Sequence, residues 1–348
     1  MRILIYEFVT GGGWFAAHDE PPPASLLAEG SAMLGAVVAD FCAVAGTTVD
    51  VLLDRQFAEL TFGLATHHVV DNPRAEPAMF ASLAAAADWT LVIAPEFDGH
   101  LLARCRAVEN ATGQLLGPSS RVVALAADKH ATAEYLAARG VAVPRGVALA
   151  PGERLAEDFP YPAVLKPRDG AGSQGMQLVR AANDVLVAER SMRLEAFCPG
   201  TAASVACLCG PRGNVPLVPC RQHLSDDGTF TYQGGSLPLP AALAERAANL
   251  AERAVAALPG PLGYIGVDLV LGDDSTGAGD VVIEINPRLT TSYVGLRALA
   301  RPNLAAAMLA LAEGRQFELS WYAGPIQFEA TGHVHDARSP AQSNWQTA

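Results

Sequence analysis

The chain has 348 residues, which is enough for two or three packed subdomains around a shared core. Half of its residues are hydrophobic, and 24 Lys and Arg against 36 Asp and Glu give a formal charge of −12, which opposes the counterion release that holds proteins on nucleic acid. No apolar run free of charges or turn residues is long enough to span a bilayer, so neither nucleic acid nor a membrane is an expected partner.

The opening run Met1-Arg2-Ile3-Leu4-Ile5-Tyr6-Glu7 reads as a strand and lacks the basic, apolar and cleavage segments of a signal peptide, so the mature chain is expected to begin near Met1. Strands at 2–6, 49–53 and 89–94 alternate with Ala-rich helices at 25–45, 78–87 and 99–110. That alternation implies a parallel, doubly wound, Rossmann-like α/β domain over residues 1–117, closed by the turn Gly117-Pro118-Ser119-Ser120. A helix at 129–139 then leads into strands at 163–167, 176–179, 193–197, 204–209 and 215–221. A helix at 241–257 and two strongly apolar strands, 264–271 and 280–285, follow. We divide this part into a central subdomain, 118–197, and a C-terminal one, 198–331. The polar segment 332–348 is expected to be a mobile tail. The six cysteines are scattered without C-x-x-C or zinc spacing, which fits reduced thiols in a cytoplasm. The eight histidines show no ligand spacing either, and a structural reading outweighs a catalytic one.

Chemistry concentrates in two places. Ala163-Val164-Leu165-Lys166-Pro167 is a strand ending in lysine. It runs into the glycine-rich loop Arg168-Asp169-Gly170-Ala171-Gly172-Ser173-Gln174-Gly175 and then another strand. Small residues let backbone amides approach polyphosphate oxygens, and the lysine adds a compact positive charge; the spacing is not that of a Walker A loop. Asp268, Glu284 and Asn286 lie on the two apolar strands, with Glu284 and Asn286 on one face by the period of two. Burying carboxylates there costs several kcal/mol unless a cation compensates, and hard oxygen donors suit Mg²⁺ on ATP phosphates. The competing reading is a buried ion pair of Glu284 with Arg288 or Arg297.

Lys129, Lys166 with its glycine loop, Glu195 in Leu194-Glu195-Ala196-Phe197-Cys198-Pro199-Gly200, Asp268, and the run Glu284-Ile285-Asn286-Pro287-Arg288 stand in the chain order of the ATP-grasp superfamily, which the sequence resembles from about 116 to 315. The resemblance implies an ATP-grasp fold behind an N-terminal Rossmann-like, pre-ATP-grasp domain. It implies ATP with Mg²⁺, or Mn²⁺ in its place, as cofactors. It makes Lys129 and Lys166 the lysines on the α- and β-phosphates, and Gly170, Gly172, Ser173 and Gly175 the loop over the β- and γ-phosphates. Glu195 would accept from the adenine amino group, the backbone at Phe197 and Cys198 would meet the ring edge, and Asp268, Glu284 and Asn286 would hold the metal. Arg288 would steady the transferred phosphate. The glutamate that many members use for ribose is missing after Gly200, which leaves Ser204 or solvent.

Tyr6-Glu7-Phe8-Val9-Thr10-Gly11-Gly12-Gly13, Tyr232-Gln233-Gly234-Gly235 and Asn286-Pro287-Arg288-Leu289-Thr290-Thr291-Ser292-Tyr293 further resemble the tyramine–glutamate ligase family of methanofuran biosynthesis. That resemblance implies a carboxylate–amine ligase working through an acyl-phosphate on small-molecule substrates, with tyramine or tyrosine as acceptor. Arg221 and Arg297 are then candidates for the glutamate carboxylate, Tyr232, Tyr293 and Trp14 for an aromatic wall, and Gly11–Gly13 for a substrate-facing turn. Another ATP-grasp ligase, D-alanine ligase-like or carboxyphosphate-forming, and a non-catalytic ATP-binding module are the alternatives. A homo-oligomer is left open. Neither Lys166 nor Glu284 is expected to be a core packing residue.

Overall fold

The computed structural model describes residues 1–170, 175–185 and 187–336. In the N-terminal domain β1 (Arg2–Glu7), β2 (Thr48–Asp54), β3 (Thr66–Val70) and β4 (Trp89–Ile93) form a parallel sheet in the order β3-β2-β1-β4. Alternate residues of β1 serve two layers. Ile3 and Ile5 pack against α1 (Ala24–Cys42), while Leu4 and Tyr6 pack toward Phe80 of α2 (Glu76–Ala86) and Leu101 and Val108 of α3 (His100–Asn110). Among the described residues α1 alone is long and apolar enough to cross a membrane by length and composition. Its Met33, Leu34, Val37, Val38 and Phe41 are spent on the core instead.

The central subdomain begins with α4 (Lys129–Ala137), whose N-terminus is capped by the Asp128 carboxylate accepting from the His130 and Ala131 amides at 3.0 and 3.1 Å. Strands β5 (Gly146–Leu149), β6 (Ala163–Pro167), β7 (Gln177–Val179) and β8 (Met192–Ala196) then form an antiparallel sheet, β5-β8-β6-β7.

The C-terminal subdomain comprises β9 (Thr201–Gly210), β10 (Gly213–Pro216), β11 (Cys220–Leu224), β12 (Tyr232–Leu237), α5 (Ala241–Ala256), β13 (Gly263–Leu271), β14 (Val281–Asn286), α6 (Ser292–Leu299), α7 (Leu304–Ala312), β15 (Ile326–Glu329) and β16 (Val334–Asp336). Its sheet runs β14-β13-β9-β11-β12-β15-β16, with β10 on β9. Ala203, Val205, Cys207 and Cys209 of β9 pack with α5. Ser204 points the other way, into a cavity, so one sheet face is core and the other is site.

Three differences from the sequence reading have local causes. The strand expected at 215–221 is two strands, because Pro219 has no amide to donate and Leu217 turns its own to Ala206 at 2.7 Å. The helix expected to reach 45 ends at Cys42. The tail expected from 332 begins with β16, paired to β15; the rest of it lies outside the described residues.

Candidate active site

Lys166 stands near the end of β6 and is fully buried. Its Nζ lies 2.6 Å from Glu195 Oε1 on β8, and the other Glu195 oxygen accepts from Arg193 Nε at 2.8 Å. The same Nζ donates to the carbonyl of Ile283 on β14 at 3.3 Å, across 117 positions of sequence. Lys129, the first residue of α4, reaches the same point: its Nζ lies 2.8 Å from Glu284 Oε2 and donates to Gly170 O at 2.9 Å. Both lysines therefore meet β14 in the cleft between the central and C-terminal subdomains.

The register of β13 and β14 sets Asp268 directly opposite Glu284. Two carboxylates at facing, half-buried positions repel, and the environment resolves the conflict unequally. Burial and the Glu284 charge push the Asp268 carboxyl up to about 8. For Glu284, burial is outweighed by Lys129 and Lys166, which hold it down at about 2. Gln222 Nε2 and Asn286 Nδ2 each donate to Asp268 at 3.0 Å. A pair of oxygen donors this strained toward sharing a proton, with an amide beside it, fits a divalent cation. Gln222 was invisible to sequence reasoning, because only the β11–β9–β13 pairing brings it to Asp268.

Gln222, Asp268, Glu284 and Asn286 line a cavity of about 330 Å³, with Val164, Leu269 and Ile283 as apolar walls and the chain after β8 along one edge; Lys129 and Lys166 stand behind that lining, bonded to Glu284 and Glu195. There the Ala196 amide donates to Arg145 O at 2.8 Å and the Phe197 amide to Pro162 O at 3.0 Å. Among the described residues the Cys198 amide has no partner. Glu195 already takes Lys166 on one oxygen and Arg193 on the other, so an adenine amino group would share a carboxylate that two cations engage. The Phe197 amide is bonded, which leaves the Cys198 amide as the free donor to a ring edge among the described residues. Ser204 lines the cavity, as the missing ribose glutamate suggested it could. Gly175 has φ +70 and borders a neighbouring cavity, while Gly172 and Ser173 lie outside the described residues.

The substrate candidates divide sharply. Tyr232 lines the cavity. Arg221 does not: its register partner is Ala203, on the α5 face of the sheet, opposite to Gln222 and Ser204. Arg297 and Tyr293 share one face of α6 at helical spacing, both bind Asp40 of α1, at 2.6 and 2.7 Å, and neither lines the cavity. Trp14 donates to Glu20 O at 2.7 Å and stacks on His18 at 4.0 Å within the N-terminal domain. The adjacent triple glycine is a packing turn: Gly12 has φ +93, and a Cβ on Gly13 would fall 2.3 Å from the Tyr6 hydroxyl.

Arg288 borders the cavity but is held by both oxygens of Glu96, at 2.9 and 3.0 Å, so a phosphate would share it with that carboxylate. Neither Arg288 nor Arg297 pairs with Glu284, whose partner is Lys129. The fold also gathers His18, Asp98 and His100, with ligand atoms within 4.8 Å of one another, a grouping no sequence spacing announced.

Two lysines, an acidic pair with an amide, and a glycine-flanked strand around one cleft define an ATP-grasp active site. Family models agree: an ATP-grasp domain matches residues 126–292 and a pre ATP-grasp 3 domain matches 47–123. The chain belongs to the ATP-grasp superfamily of ATP-dependent ligases. It is 28% identical over 243 residues to tyramine–L-glutamate ligase of Methanocaldococcus fervens, covering 67% of this chain and 72% of that one. To the Methanocaldococcus jannaschii enzyme of the same name it is 27% identical over 232 residues, covering 66% and 65%. Among solved structures, an ATP-grasp superfamily protein from Archaeoglobus fulgidus superposes with a TM-score of 0.70 at 23% identity, covering 94% of this chain and 92% of that one. Biotin carboxylase from Campylobacter jejuni superposes with 0.71 at 17%, covering 94% and 74%.

Proposed function

We propose that the protein joins the carboxylate of glutamate to an aromatic amine, tyramine or tyrosine, at the cost of ATP, as a step in building a C1-carrier cofactor of the methanofuran type. The observation that carries the ligase reading is the meeting of Lys129, Lys166, Asp268, Glu284 and Asn286 at one cleft. Glutamate and tyramine are taken from the names of the two relatives, and tyrosine and the cofactor setting from the sequence resemblance.

Asp268, Glu284 and Asn286 would hold Mg²⁺, which supplies neutralising charge between the phosphate oxygens when bound. The reaction needs no covalent enzyme nucleophile, so the protein's work is positioning and electrostatics. Lys166, fully buried behind Glu195 and Ile283, would act on developing negative charge through a low-dielectric surrounding. The substrate carboxylate attacks the γ-phosphate of ATP, ADP leaves, and the amine displaces phosphate from the acyl-phosphate to form the amide. Lys129 stands ready to exchange part of its bond with Glu284 for phosphate oxygen. The free Cys198 amide, in the cavity lining, would meet the base.

The test is phosphate release from Mg-ATP with glutamate plus tyramine or tyrosine, and mass spectrometry of the product. Amide formed only when all three substrates are present supports the reading. Phosphate release indifferent to both glutamate and amine would refute it.

A further inference from the structure

A second cavity, of about 580 Å³, opens from the first and shares Glu29, Met176, Tyr232 and Arg288 with it. Its far wall belongs to the N-terminal domain, at the C-terminal end of β4 and along α1. The shared mouth lies at Arg288, two positions beyond the metal donor Asn286. A molecule reaching through it from the second cavity therefore arrives where an acyl-phosphate would form.

The charge of this cavity selects its occupant. Its described residues bring three carboxylates, Glu7, Glu29 and Asp227, against one cation, Arg288, which Glu96 already engages at both oxygens. A further anion would be repelled, and an ammonium would be drawn in. The three carboxylates are not equivalent. Glu7 accepts from the Val9 amide, the Thr10 amide and the Thr10 hydroxyl, and Asp227 from Ser225 and Thr229. Glu29 receives a single long contact, from Thr291 Oγ1 at 3.5 Å. It is thus the carboxylate with acceptor capacity left, and it stands at the shared mouth. Leu26 and Met33 lie three and four positions away on α1, which puts them on the same helix face, and with Ile93 and Pro95 they give the cavity an apolar side.

Resting on the carboxylate–amine ligase reading, we propose that this second cavity takes the amine substrate, a primary ammonium on an apolar or aromatic body, and that Glu29 binds the ammonium where the two cavities join. Burial raises the Glu29 carboxyl above its ordinary value while the Arg288 charge limits the rise, which fits a carboxylate waiting for a cation. Of the aromatic wall expected from sequence for the acceptor, the assignment keeps only Tyr232; Arg221 and Arg297, expected for the glutamate carboxylate, line neither cavity.

Hydroxylamine separates the two halves of the reaction, because this small neutral nucleophile traps an acyl-phosphate without needing an ammonium site. Wild type, Glu29→Gln and Glu29→Asp are compared in the full chain with Mg-ATP and glutamate, once with varied tyramine and once with hydroxylamine. The expected result is a KM for tyramine raised at least tenfold in Glu29→Gln, a smaller rise in Glu29→Asp, and a hydroxamate-to-amide ratio at least tenfold above wild type at low tyramine. A ratio equal to wild type, whether both rates hold or both fall, overturns the assignment, and so does an equal rise in the two variants. A wild-type protein that forms no hydroxamate refutes the ligase reading itself, and this assignment with it.

Discussion

Replacing Lys166 by methionine keeps the length of the side chain and removes its charge. Because Lys166 is fully buried and 2.6 Å from Glu195, the change acts on stability as well as on catalysis, against the sequence expectation that it is no core residue. Breaking a buried ion pair by deleting one partner costs about 3–5 kcal/mol. Here Glu195 retains Arg193 at 2.8 Å, so we expect about half of that, roughly 2 kcal/mol. The lost contact to developing phosphate charge costs about a hundredfold or more in turnover, or roughly 2.7 kcal/mol. The two effects separate when both are read on the single variant: the urea midpoint reports the stability lost, and phosphate release per folded molecule, down about a hundredfold, reports the catalytic part. Wild-type turnover per folded molecule would refute the role given to this lysine.

Glu284→Gln should lower turnover by about a hundredfold and raise the Mg²⁺ concentration needed for half-maximal phosphate release, since it strips the proposed metal donor and the partner of Lys129. Unchanged Mg²⁺ dependence would move the metal elsewhere. Arg297→Ala should cost stability by about 3 kcal/mol, because it leaves Asp40 with Tyr293 alone, yet leave the KM for glutamate unaltered; a selective rise in that KM would restore Arg297 to the substrate site. Asp128→Ala removes the cap of the helix that begins with Lys129 and should cost about 1 kcal/mol at neutral pH. Its carboxyl is held below 3.8, despite burial, by Arg168 and the cap amides. That contribution is therefore complete above 3.8 and fades as pH falls through the lower folded value. The gap between wild type and variant in urea midpoint should shrink from pH 5 toward pH 3, and a constant gap would refute the assignment.

The sequence by itself determined the fold class and pointed to the chemical elements of the candidate site. Local signals suffice for these: β1 is an unbroken apolar run, Lys166 ends a strand before a glycine-rich loop, and Asp268, Glu284 and Asn286 are polar groups in strands too apolar to hold them without a reason. Tertiary structure decided which charges are free to act. Arg288 finds Glu96 192 positions away, and Arg297 finds Asp40 257 positions away. Both arginines read alike in sequence, yet one borders the cavity and the other closes a joint between α1 and α6. Arg221 lost its place to Gln222 by strand parity, which the break at Pro219 and the pairing with β9 set together. Glu29 lay unnoticed on an Ala-rich helix. The physical reason is common to all of these: a guanidinium or carboxylate is satisfied by whatever partner the packing of distant elements brings within 3 Å, and no local periodicity encodes that choice.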